Sequence, residues 1–135
     1  MNKRLIHSSV LILLAAASAF AEQPFQAQIP FLFHLGGSVL PSGAYSVYPQ
    51  GGAHEVVHLR SADGKSSVMM LSHRVESLAD AARAKLVFNR YGDQYFLSQV
   101  WPGNSNAGRE LPKTRLEEEV AATTKRVTRT LLATK

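Results

Sequence analysis

The chain has 135 residues, 15 Lys plus Arg against 10 Asp plus Glu, no Cys, and 45% hydrophobic residues. That length suits one domain, and the apolar content is too high and the charge too low for a disordered chain. The missing Cys excludes disulfide staples and thiolate metal sites.

Residues 1–21 read as a secretory signal. Lys3 and Arg4 precede an apolar stretch, and Ala19-Phe20-Ala21 puts small residues where a signal peptidase cuts. The stretch is short for a bilayer and no basic stop-transfer cluster follows it, so the expectation is export to the periplasm or the extracellular space. Cleavage would remove Lys3 and Arg4 but no acid, leaving a mild positive charge that gives no ground for a nucleic-acid surface.

Residues 22–107 are expected to form a mainly β domain of six short strands. Across 27–35 the residues Ile29, Phe31, Phe33 and Leu35 alternate with polar or exposed ones, and Pro30, which cannot donate to a ladder, marks an edge or a bulge. Pro41-Ser42-Gly43 reads as a turn into a strand at 44–48, with Tyr45 and Val47 on one face. A third strand at 55–60 places Val57 and Leu59 together, and Asp63-Gly64 is a hairpin signal. The strand at 67–72 carries the unbroken apolar run Val68-Met69-Met70-Leu71, which predicts cover on both faces. Residues 77–84 suit one helical turn or a loop, and 85–101 a hairpin turning at Tyr91-Gly92-Asp93 with Gly92 at positive φ. These elements predict an antiparallel meander closed into a small barrel or sandwich.

The remaining stretch, 108–135, reads as a linker and a C-terminal amphipathic helix with a frayed basic end. Thr114 with Glu117 makes a capping box, and Leu116, Val120, Val127 and Leu131 form an apolar stripe at helical spacing. The stripe predicts docking on the β-domain through Leu116 and Val120. Thr123, Thr124, Thr128, Thr130 and Thr134 lower helix propensity beyond about residue 122. Lys125, Arg126 and Arg129 suit either a dipole-matched helix end or weak contact with an anionic membrane surface.

No converging reactive set is visible. His54 and His58 would stand about 13 Å apart along a strand, too far to share a metal ion. A site built across strands from His58, His34 or His73 with Glu55 has no support in spacing, and exposed strand histidines are the expectation. Glu117, Glu118 and Glu119 are consecutive, which suits helix-start electrostatics better than paired acid–base catalysis. Gly36-Gly37 and Gly51-Gly52 lack the Lys and the following helix of a phosphate loop. Tyr45, Tyr48, Tyr91 and Tyr95 are expected to pack in a core rather than line a ligand cup. No catalytic, cofactor-binding or metal residue is therefore assigned.

Three blocks carry a resemblance: Ile29-Pro30-Phe31-Leu32-Phe33-His34-Leu35-Gly36, Leu40-Pro41-Ser42-Gly43-Ala44-Tyr45-Ser46-Val47, and Lys85-Leu86-Val87-Phe88-Asn89-Arg90-Tyr91-Gly92-Asp93-Gln94-Tyr95-Phe96-Leu97. With Gly108-Arg109-Glu110-Leu111-Pro112, the chain resembles a family of small exported bacterial β-rich proteins of unknown function. The resemblance implies export and a β-rich domain and brings no catalytic residue or cofactor. The expected function is an exported non-catalytic β-domain, a binding or structural module of the cell envelope or extracellular space with an unidentified ligand or envelope partner. The alternative is a hydrolase or metal-dependent enzyme with a site assembled from His residues across strands.

Overall fold

The computed structural model describes residues 24–50, 55–81 and 83–133. Residues 1–21, expected to be a secretory signal, and Gly51-Gly52 and His54 lie outside the described residues. In chain order the elements are β1 (Phe25–Ile29), β2 (Phe33–Leu35), β3 (Ser38–Leu40), β4 (Gly43–Gln50), β5 (Val56–Ser61), β6 (Ser67–Leu71), β7 (His73–Ala81), β8 (Lys85–Tyr91), β9 (Gln94–Trp101), β10 (Ser105–Glu110), α1 (Arg115–Ala121) and β11 (Arg126–Leu132).

The protein is mainly β with one short helix, and no closed barrel is found among the described residues. One sheet has the order β1-β4-β5-β6, the other β11-β8-β9-β10-β7. The β2–β3 hairpin joins β9 through a parallel bridge between His34 and Phe96, so this second sheet is mixed. The two sheets share one core that includes Ile29, Phe33, Leu35, Tyr45, Val47, Val57, Leu59, Leu86, Phe88 and Val100. Period-two alternation supplies these residues, since every second side chain of a strand points to the same face. Each fully buried aliphatic or phenyl side chain contributes about 1.5–3 kcal/mol.

Pro30 divides the first expected strand. Without an N–H it cannot continue the β1 ladder, and the chain passes from the first sheet to the second between Ile29 and Phe33. The apolar face expected there survives the division: Ile29, Phe33 and Leu35 are buried, and Phe31 packs against the core. A second crossing follows β6. Ser72 bends the chain into β7, and its N–H and hydroxyl both donate to the Glu55 carbonyl, at 2.8 and 3.0 Å. The Glu55 carboxylate makes an ion pair with Arg109 of β10 at 2.9 Å, where the Arg109 side chain is only 3% exposed. One residue thus ties both sheets at this corner through its backbone and its side chain.

Several expectations are corrected. The helix ends at Ala121, and the Thr-rich tail is the strand β11, paired antiparallel with β8 from Arg126 opposite Tyr91 to Leu132 opposite Lys85. Threonine and valine are poor in helices because β-branching restricts their rotamers, and the same stiffness suits a pleated strand. The tail is therefore part of the second sheet, not a linker and a frayed helix. Residues 77–81 continue β7 in place of a helical turn or loop. The apolar run of β6 is not covered on both faces: Val68 and Met70 pack on the core, whereas Met69 and Leu71 are exposed.

The 85–101 hairpin has the expected turn, with Tyr91 paired to Gln94 and Gly92 at φ +60°. Farther along, Gly108 permits close packing of another kind. A Cβ placed there would lie 2.6 Å from the Trp101 ring, so the indole can rest directly on the β10 backbone.

Candidate functional site

The outer face of the second sheet, away from the core, is where polar side chains gather. Asn89 and Tyr91 lie on that face of β8, opposite Thr128 and Arg126 of β11. Helix α1 lies against it. The Thr114 hydroxyl accepts from the Glu117 N–H at 3.2 Å, which fixes the start of the helix. The same cap aims the Glu117 side chain at β8. Its carboxylate accepts from Asn89 Nδ2 at 2.9 Å and from the Tyr91 hydroxyl at 3.2 Å.

Glu117 is only 4% exposed, whereas Leu116 is 45% exposed and Val120 half-buried. Docking thus runs through the Glu117 carboxylate, and Leu116, expected to dock, stays exposed. The reason is complementarity: the receiving strand offers an amide and a phenol, whose hydrogen-bonding capacity a leucine would leave unmet. Burial raises the pKa of the Tyr91 phenol, the neighbouring Glu117 carboxylate raises it further, and Arg126 acts in the opposite direction.

Beside this latch runs an open groove of about 270 Å³. Asn89, Gln99 and Thr128 supply amide and hydroxyl groups from its strands, and Lys113, Arg126 and Glu110 supply charge around them. Asn89 Nδ2 already donates to Glu117, and Gln99 Oε1 accepts from Trp101 Nε1 at 3.1 Å. The groove can therefore donate to an anion from two cations, pair with hydroxyls through Thr128, Asn89 Oδ1 and Gln99 Nε2, and accept from a hydroxyl at Glu110. Only the Glu117 cap was visible in sequence. The groove requires β8, β9, β11 and the segment before α1 to meet, which no local pattern encodes.

A larger cavity of about 420 Å³ lies between the 41–43 turn and the Asp63 hairpin turn. Several of its polar groups are already used in those turns. Tyr45 donates to the Pro41 carbonyl, and the Asp63 carboxylate accepts from Ser61 Oγ at 2.6 Å and from the Lys65 N–H at 2.9 Å. The Ser61 hydroxyl, with the Lys65 N–H after it, lowers the Asp63 pKa, while burial and the nearby Asp63 charge raise that of Tyr45. This is turn chemistry.

The histidines considered for a metal or hydrolase site are held apart. His34 stacks on Phe96 with ring centroids 4.4 Å apart, and burial lowers its pKa. His58 lies on the first sheet, where its Nε2 shares a 2.6 Å hydrogen bond with Ser67 Oγ, and His73 is exposed at the start of β7. Among the described residues no three His, Asp or Glu side chains converge on a common point.

The tyrosines do not line one cup. Tyr45 is in the core, Tyr91 meets Glu117, Tyr48 lies beside His58, and Tyr95 stacks on Phe31 at 3.7 Å. Arg129 lies over Phe31 at 4.9 Å and donates to the Tyr95 hydroxyl at 3.2 Å, clamping β11. Of the basic residues expected at a helix end, Arg129 thus serves the fold, Arg126 borders the groove, and Lys125 is exposed before β11.

No family model, curated protein or solved structure matches the chain.

Proposed function

We propose that the chain is an exported, non-catalytic β-domain of the two-sheet sandwich type that binds a small hydroxylated anion in the outer-face groove. The observation that carries this reading is the grouping of Lys113 and Arg126 with Asn89, Gln99 and Thr128 around one cavity. Cations, carboxamides and a hydroxyl at a groove of this size suit recognition of a carboxylated sugar or a similar polyhydroxy acid. Membership of the small exported bacterial β-rich family, with residues 1–21 removed on export, belongs to the same reading and rests on the sequence blocks and on Ala19-Phe20-Ala21. In the periplasm or the extracellular space such a module would hold an envelope or environmental ligand.

Calorimetric titration with glucuronate and with glucose tests the groove. Glucuronate should bind more tightly than glucose, added salt should weaken it, and Lys113→Ala and Arg126→Ala should each reduce its affinity by about fivefold or more. Equal binding of the two sugars, or glucuronate binding untouched by both substitutions, would overturn the assignment.

A further inference from the structure

Strand β6 ends the first sheet, and its chemistry differs from that of every other edge among the described residues. Among the described residues it pairs with β5 alone. The Ser61 N–H donates to the Ser66 carbonyl and the Ser72 N–H to the Glu55 carbonyl, which sets the phase of the ladder between them. In an antiparallel pair, residues that bond to the partner alternate with residues whose N–H and C=O point away. Val68 and Met70 therefore bond to Leu59 and Val57, and the backbone groups of Ser67, Met69 and Leu71 face the open edge. These same residues have exposed side chains, Met69 at 59% and Leu71 at 67%.

Sheet edges are commonly protected by charge, proline, a bulge or cover. Strand β7 carries the Arg74–Glu76 ion pair, and β11 carries Arg126 and Arg129. Strand β1 is bracketed by Pro24 and Pro30, exposes Gln26 and Gln28, and lies along β11. Strand β3 has only 3 residues and is followed by Pro41. Strand β6, Ser-Val-Met-Met-Leu, has no charge, no proline and no bulge.

We propose that β6 is a self-association edge that takes a second copy of this chain, antiparallel about a two-fold axis at Met69. Centred there, Met69 meets Met69 of the second copy and Ser67 meets Leu71, so the outward backbone groups of each copy bond to those of the other. No like charges are opposed along the strand, which favours an identical strand over a charged peptide. Side chains also line up across the axis. Met69 is paired with His58, and His58 with Tyr48, so the joined sheets would carry one continuous row of these residues from both copies. An isologous contact of this kind closes on itself and stops at a dimer. The ladder is short and buries little area, so the association should depend on concentration. It uses the first sheet and is independent of the groove.

The absence of Cys from the chain permits a clean test. Residues in a hydrogen-bonded antiparallel pair have Cα atoms about 5.5 Å apart, a separation that a disulfide spans. Met69→Cys should therefore oxidise to a covalent dimer at least about tenfold faster than Val39→Cys, which places a thiol at another exposed apolar position. Sedimentation of the parent protein should show mass rising towards a dimer between about 10 μM and 1 mM. Met69→Lys, with an unchanged circular dichroism spectrum, should remain a monomer throughout. A parent that stays monomeric at about 1 mM while Met69→Cys cross-links no faster than Val39→Cys would overturn the proposal. So would a dimer that survives Met69→Lys.

Discussion

Gly92 and Glu117 show how single side chains decide local structure here. At Gly92 an added Cβ would meet no atom within 4 Å, so the constraint is purely its φ of +60°. Gly92→Val should cost about 1–2 kcal/mol through backbone strain alone, read as a lower urea midpoint with an unchanged slope. Glu117→Ala should cost about 2–3 kcal/mol, because it strands the Asn89 amide and the Tyr91 hydroxyl in a buried place. Leu116→Ala should change stability by less than about 0.5 kcal/mol, since its side chain faces solvent. Urea melts of the two variants side by side will show which residue docks the helix. Tyr91 and Tyr45 add a pH dependence, as both phenols hold their protons above the ordinary value of about 10. The unfolded chain releases those protons first. Stability from this source is complete below about pH 10 and is lost as pH rises through the folded-state values. Tyr91→Phe should flatten part of that alkaline loss in urea melts between about pH 8 and pH 11.

Among the elements, legibility follows the range of the interactions that define each one. The faces of β1, β2, β4 and β5 were readable because alternation is local: Ile29, Phe33, Tyr45, Val47, Val57 and Leu59 are buried as their spacing implies. The 85–101 turn and the Thr114 cap were readable for the same reason. The tail was not, because Val127 and Leu131 satisfy a helical period as well as the alternation of a strand. What decides between them is β8, whose open edge lies far away in sequence and receives β11 along its whole length. The groove leaves no local pattern in the sequence because its residues come from separate elements. The contact of Glu117 with β8 has no local signal, because a carboxylate early in a helix has a sufficient reason to be there in the helix dipole alone. Removing residues 126–135 should therefore lower the melting temperature by about 10 °C or more, since it uncovers β8 and releases the Arg129 clamp on Phe31 and Tyr95. A melting temperature unchanged by that truncation would mean that β11 is dispensable to the fold.

For the molecule as a whole, the two sheets divide the surface into regions of different chemistry. The shared core fixes both sheets, Glu55 ties them at one corner, and Glu117 fastens α1 beside the groove on the outer face of the second sheet. The edge at β6 belongs to the other sheet, so the proposed ligand binding and the proposed self-association can be altered separately. The most direct test of the proposed function is a residue-resolved amide NMR titration with glucuronate. The largest shifts should fall on Asn89, Gln99, Lys113, Arg126 and Thr128, and they should collapse in Arg126→Ala while the rest of the spectrum is retained. Shifts centred on 41–45 and 61–66, or shifts that Arg126→Ala leaves intact, would contradict it.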